Sequence, residues 1–290
     1  SGADAGYGLK AICVTPGNPA AGLDTHQGIV LLSSPQTGQP LAVLNASAVT
    51  EIRTAAVSAV ATSLLARPDA DVVAIVGTGV QARSHLMAIA ATRPLGQVRI
   101  AGSSPAKAAA FAADVAPRAL SELAGQVVPD GWPVVDPRAI QVVACDSARE
   151  AVSGAGIVVT ATSSAVPVLQ RDWLAPGAHI NAVGACLPQV RELDTATVAD
   201  AALFADSRES ILAESGDYLL AAADGAIGPE HVRAELGELL ADPTASLGRR
   251  DPGEMTVFES LGLAIEDLAA ATVAYRSART SGGGTWIDFD

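Results

Sequence analysis

From residue 71 onward, short apolar runs alternate with stretches in which apolar residues recur at helical spacing. The run Val72 to Val76 ends at Gly77-Thr78-Gly79. An apolar-periodic stretch follows over 80–91, and a second β-rich run covers 98–101. Strand, glycine turn, helix and strand make one βαβ unit of roughly 30 residues. The same pattern predicts strands at 141–145, 157–161, 179–183 and 201–205, and helices at 104–113, 147–154, 210–223 and 230–240. Residues 117–140 mix Ala, Leu and Pro and read as an irregular excursion with one short helix. Residues 256–278 read as a long Ala-rich helix. A flexible spacer at 281–284 and an edge strand at 285–289 follow it.

Residues 1–60 are patterned differently. Strands are predicted at 8–14, 28–33 and 41–44, with turns at Pro16-Gly17-Asn18-Pro19 and over 35–39, the second closing a hairpin. A helix is predicted over 50–65, capped by Thr50 and ended by Arg67-Pro68-Asp69. Short strands ahead of a βα series predict an α/β protein with a Rossmann-type doubly wound sheet beside a smaller β-rich domain.

The glycine turn carries candidate chemistry. Gly77-x-Gly79-x-x-Ala82 is the dinucleotide fingerprint in its G-x-G-x-x-A form, placed between a strand and a helix, where the motif has meaning. Gly77 permits the tight turn and Gly79 a close backbone approach, while Thr78, Val80 and Gln81 complete a cradle at the helix start. The alternative is a purely structural turn. The second strand ends Ala101-Gly102-Ser103-Ser104-Pro105, with Lys107 nearby and no acid. Cofactors with a free ribose 2′-OH usually meet an acid there, so Ser103, Ser104 and Lys107 favour NADP(H) over NAD(H). Either serine could instead simply cap the next helix. Later strand ends border the same ligand crevice, which adds Thr160, Ala161, Thr162, Val183 and Gly184 as cofactor contacts.

Composition narrows the function classes. Of 290 residues, 49% are hydrophobic and 17% charged, enough for a sizeable core, and the net charge of −13 argues against nucleic acid or an anionic membrane as partner. Three scattered cysteines give no disulfide framework, and no signal peptide or span-length apolar run is evident. The expected setting is a reduced cytoplasm. His26, His85, His179 and His231 lack metal-ligand spacing. His179 reads as a packed core residue, and His85 as facing the helix surface or the cofactor rim. Asp206 and the stretch Glu214-Ser215-Gly216-Asp217, at strand or helix ends, read as caps and solvated faces, with a functional role as the alternative.

Several stretches together resemble the ornithine cyclodeaminase/mu-crystallin family. They are GLK then PGNP at 8–19, HQG at 26–28, EIRTAAVSA at 51–59, GTGVQA at 77–82, VVTATSS at 158–164, WLAPGAHINAVGA at 173–185, RELD at 191–194 and ESLGLAIED at 259–267. The resemblance implies a homodimer. It also implies a dimerisation and substrate domain from residues 1–60 and 257–290, with a nucleotide-binding domain over 61–256. The implied reaction is hydride transfer between a nicotinamide and the α-carbon of an amino acid or its imine, on a small amino or imino acid substrate. The family also has a segment upstream of the GLK strand bearing further substrate contacts, and this sequence offers no positions to match them.

Two residues carry the family's carboxylate grip. Lys10 and Arg53 match the lysine and arginine that hold the substrate carboxylate, and a guanidinium fork with a second cation suits a planar acid. Read without the resemblance, Lys10 is a surface lysine and Arg53 a partner in a helix-surface ion pair. The departure is Cys186. Cyclodeaminases and alanine dehydrogenases of the family place an aspartate after VGA, and ketimine reductases a small polar residue. A thiol with a reference pKa of about 8.5 cannot do carboxylate work at neutral pH. Cys186 is therefore either a substrate contact or a buried structural thiol. The expected activity is NADP(H)-dependent reduction of a cyclic imine carboxylate. The alternatives are an amino-acid dehydrogenase or cyclodeaminase, and a protein that binds NADP(H) and a small ligand without turnover.

Overall fold

The computed structural model describes residues 6–15, 17–23, 25–126, 136–242 and 244–288. The chain divides into two compact units, one formed by residues 1–54 with 262–290 and the other by 55–261.

In the first unit, β1 (Tyr7–Val14), β2 (His26–Ser33) and β3 (Pro40–Asn45) form an antiparallel sheet in that order. Bonds from Ser34 N–H to the Gln39 carbonyl and from Gly38 N–H to the Ser34 carbonyl, both 2.9 Å, close the hairpin. The register places Lys10, Val30 and Leu44 on one face. There Val30 is buried with Ala46, Val49 and Ala271, under α1 (Ala46–Leu65) and the last helix, α10 (Ala264–Ser281). The opposite face leaves Leu9, Ile29 and Val43 at 62%, 48% and 63% exposure. Helix α1 starts four residues before its expected start. Asn45 accepts from Ala48 N–H there, and Thr50, the expected cap, sits inside the helix with its hydroxyl on the Ala46 carbonyl. By length and apolarity alone α1 could cross a membrane. Its Ala46 and Val49 nevertheless pack in the core of the first unit, and its Ala61 and Leu65 in that of the second.

The second unit is an eight-stranded, wholly parallel sheet. Its strands are β4 (Val72–Val76), β5 (Gln97–Ala101), β6 (Gln141–Ala144), β7 (Ile157–Thr160), β8 (His179–Ala182), β9 (Ala202–Ala205), β10 (Val232–Glu235) and β11 (Thr256–Glu259). The order is β10-β9-β11-β8-β7-β4-β5-β6. It reverses between β4 and β7, the topological switch point where open α/β sheets bind ligands. Apolar clusters cover the sheet, which is why its central strands read as unbroken Val, Ile and Ala runs. Helix α2 (Val80–Thr92) follows the glycine turn, and α3 (Pro105–Ala110) follows β5.

The short helix expected within 117–140 is present at its start. A π turn at Phe111–Val115 joins α3 to α4 (Ala116–Ala124), with Ala116 N–H on the Phe111 carbonyl, and Pro117 follows that turn. Residues 127–135 lie outside the described ones. Three other expectations fail for local reasons. First, between α5 (Ala148–Val152) and β10 three α-helices occur. They are α6 (Thr195–Asp200), unexpected from the sequence, then α7 (Arg208–Glu214) and α8 (Gly216–Ala223), which the pattern reads as one. Ser215 divides α7 from α8 by capping the latter, and a Cβ on Gly216 would strike the Val190 and Leu187 carbonyls. Second, the helix predicted at 230–240 is β10 followed by α9 (Leu236–Ala241). Third, the long helix predicted from 256 is β11, then a break at Gly262 (φ 93°), then α10. The predicted edge strand is absent over 285–288, and Phe289 lies outside the described residues.

Candidate active site

The glycine turn has the form a dinucleotide needs. Gly77 has φ 138°, and a Cβ there would collide with the Ala161 carbonyl across the switch point. A Cβ on Gly79, by contrast, would meet open space. Gly79 begins α2 without any side-chain cap, so the first N–H groups of the helix face outward for an anion, with Val80 and Gln81 in that turn. Thr78 touches the next turn, since a Cβ on Gly102 would lie 2.9 Å from its methyl group. These residues fit a bound dinucleotide. Ser104 does cap α3, accepting from Lys107 N–H at 3.3 Å, while Ser103 and Lys107 are exposed beside it. The capping hydroxyl keeps its own proton to donate.

On the other side of the switch point lie the ends of β7 and β8. Val183 N–H makes the last ladder bond to the Thr160 carbonyl at 3.0 Å. Beyond it, Thr162 N–H and Gly184 N–H donate to the two carboxylate oxygens of Glu192 at 2.6 and 2.7 Å. Glu192 is wholly buried, and burial raises its acid above the ordinary range against the pull of those bonds. Asp217, 1% exposed, accepts at one oxygen from the Glu192 and Leu193 N–H groups, both at 2.8 Å. Burial pushes its acid up to about 7, with the Glu192 charge adding to the rise. Glu259 is buried too and takes the Ser215 hydroxyl at 3.1 Å. Asp206 accepts from Ser207 and Leu261 N–H, both at 2.7 Å. The reading of Asp206 and Asp217 as solvated is therefore wrong. Both are buried receivers of backbone N–H groups. Sequence reasoning met Glu192 only inside the RELD match and gave it no role, because only the fold brings it between the two strand ends.

In the first unit the two candidate cations meet. Lys10 Nζ lies 2.7 Å from Thr50 Oγ1 and 3.1 Å from Asp267 Oδ1. Arg53 Nη1 lies 2.9 Å from Glu266 Oε2, and its Nε 3.4 Å from the same Asp267 oxygen. Lys10 is not a surface lysine, since its side chain is 17% exposed, and Arg53 pairs with α10 rather than along its own helix. Gly262 makes room for the guanidinium, since a Cβ there would overlap Arg53. The four side chains sum to zero formal charge, so any grip on an added carboxylate comes from directed donors. A guanidinium has five N–H groups, and binding Glu266 does not exhaust them. Asp267 and Glu266 were legible only as part of the ESLGLAIED match; their partners were not.

Cys186 lies just past β8, exposed rather than buried, with its thiol on the Val183 carbonyl at 3.3 Å. His179 is a core residue as expected, on the Thr256 hydroxyl at 2.9 Å, and burial lowers it to about 3. His85 does not face a surface or rim. It is wholly buried, with Nδ1 on the Gln81 carbonyl and Nε2 on the Ser58 hydroxyl, and burial lowers it to about 4. Among the described residues no three His, Cys, Asp or Glu side chains are grouped to hold a metal ion.

The sequence matches the profile of the ornithine cyclodeaminase/mu-crystallin family over residues 1–124 and 134–282. It is 38% identical over 277 residues to the ketimine reductase mu-crystallin of Mus musculus, covering 96% of this chain and 78% of that one. The structure resembles that of Thermococcus litoralis Δ1-pyrroline-2-carboxylate reductase in complex with NADH and L-proline. The TM-score is 0.85 with 35% identity, covering 97% of this chain and 81% of that one. An archaeal alanine dehydrogenase dimer with bound NAD gives a TM-score of 0.82 with 34% identity, covering 98% and 81%.

Proposed function

Because the chain belongs to the ornithine cyclodeaminase/mu-crystallin family, we propose that it is a nicotinamide-dependent oxidoreductase that reduces a cyclic imine carboxylate, such as a pyrroline- or piperideine-2-carboxylate, to the cyclic amino acid. The observation that carries this reading is the convergence of Lys10 and Arg53 on one Asp267 oxygen. Two cations held by a common acid form a rigid pair able to orient a planar carboxylate. When bound, the nicotinamide supplies the hydride that reduces the imine carbon. Arg53 grips the substrate carboxylate, and Lys10 fixes its orientation. The proton that the ring nitrogen gains comes from Lys10 or a water. Gly77, Thr78, Gly79, Val80 and Gln81 hold the dinucleotide, with Thr160, Ala161, Thr162, Val183 and Gly184 at the further strand ends. Cys186, in place of a carboxylate after Val183-Gly184-Ala185, favours a ready-made imine over ammonia loss, which needs a proton-shuttling acid.

NADP(H) is the preferred cofactor. Supporting this, β5 ends without an acid and is followed by Ser103, Ser104 and Lys107, whose hydroxyls and ammonium suit a ribose 2′-phosphate better than a free 2′-OH. The first unit is the substrate and dimerisation domain of a homodimer, as its exposed apolar sheet face supports.

Purified protein should consume NADPH when offered five- or six-membered cyclic imine carboxylates, and NADH less efficiently. Lys10→Ala should lose about 100-fold or more in kcat/KM with NADPH affinity kept. NADPH binding with no oxidation across the imine panel would leave only a binding protein. Ammonia release from ornithine, lysine or alanine would move the assignment to a deaminating member.

A further inference from the structure

Glu192 belongs to none of the motifs that bind dinucleotide or substrate, yet its carboxylate takes over where the β7–β8 ladder stops. The last ladder bond is Val183 N–H to the Thr160 carbonyl, and the next donors, Thr162 N–H and Gly184 N–H, go to the two Glu192 oxygens. The glycine is fitted to this, since a Cβ on Gly184 would lie 2.6 Å from the Glu192 carboxyl carbon. The clamp is itself anchored. The Glu192 carbonyl accepts from Val168 and Leu169 N–H at 2.8 and 3.0 Å, and its N–H donates to Asp217. A residue fixed at both backbone groups and both carboxylate oxygens is a rigid node, and charge-assisted bonds of this kind are the strong ones. In a doubly wound sheet one mononucleotide half lies over the β4 and β5 ends with the pyrophosphate and adenosine. The strand ends beyond the switch point, β7 and β8, therefore face the other half.

We propose that Glu192 is a positioning residue for hydride transfer, bracing the backbone after β7 and after β8 on the nicotinamide side of the crevice. This rests on the imine-reductase reading. The clamp needs acceptors at both oxygens. Gln keeps the shape but turns an NH2 towards one of the two N–H donors, so it breaks the clamp without opening a cavity.

The test compares wild type, Glu192→Gln and Glu192→Ala in NADPH affinity, in steady-state kinetics with a cyclic imine, and in amide hydrogen exchange at Thr162 and Gly184. Folded Glu192→Gln should lose about 10-fold or more in NADPH affinity and about 10- to 100-fold in kcat, with imine KM within about twofold, because the carboxylate grip is untouched. A larger primary isotope effect from deuterated NADPH and faster exchange at the two amides should accompany this. The proposal is overturned if the Gln variant keeps kcat and NADPH affinity and loses only thermal stability. It is equally overturned if the Gln variant does not fold, since Glu192 is then structural. Wild type that binds NADPH but reduces no imine removes the functional reading alone, and affinity and exchange then still decide the clamp.

Discussion

Asp217 shows how one buried acid couples structure to pH. Its folded form keeps a proton up to about pH 7, whereas the unfolded chain releases it near the ordinary value of 3.8. Between those values the folded state binds the extra proton, so this group makes stability fall as pH rises. His85 and His179 act in the opposite sense. Their lowered folded values mean that the unfolded state binds the extra proton below 6.5. Asp217→Asn removes this acid together with its coupling to Glu192 and Glu259, which adds in the same sense, while the histidine contributions are common to both proteins. The Asn oxygen can still accept from Glu192 and Leu193 N–H. Wild-type melting temperature minus that of the variant should therefore fall steadily from about pH 4.5 to about pH 8. Parallel melting curves across that range would mean Asp217 stays ionised in the fold.

The elements show where a linear pattern suffices and where it does not. Gly77→Ala tests the turn. A methyl group there meets the Ala161 carbonyl in a backbone conformation that L residues rarely adopt. The substitution should cost about 1–3 kcal/mol of stability and abolish measurable dinucleotide binding, read by chemical denaturation and NADPH titration. A variant of wild-type stability and affinity would show the turn to be ornamental. The strand–glycine–helix order, the three N-terminal strands and the central parallel strands were legible because period and turn chemistry agreed with burial. Residues 230–240 and 256–278 misled because their Ala, Leu and Glu content favours helix. Sheet pairing overrides it in Val232–Glu235 against β9 and in Thr256–Glu259 between β8 and β9. The cofactor turn was readable for the same reason as its strand. The acids facing Lys10 and Arg53 were not, since they arrive more than 200 residues later in the chain.

At the scale of the whole molecule, the proposed homodimer rests on the exposed face of the small sheet. Leu9, Ile29 and Val43 are about half or more exposed on one face, while its reverse is buried by α1 and α10. Contiguous exposed apolar surface of this kind marks an interface. Sedimentation should report a dimer. Val43→Glu, which places a charge on that face and leaves the buried side alone, should shift the protein to monomer with the cofactor turn intact. A wild-type monomer at micromolar concentration would refute the homodimer.

The central claim is hydride transfer to an imine carbon held by its carboxylate. It is tested most directly by turning over Δ1-pyrroline-2-carboxylate with NADPH deuterated at the transferring position and analysing the product by mass spectrometry and NMR. The account predicts proline carrying one deuterium at the α-carbon, formed by wild type and about 100-fold or more slowly by Lys10→Ala and Arg53→Ala. Unlabelled proline, or label appearing equally with both variants, would contradict it.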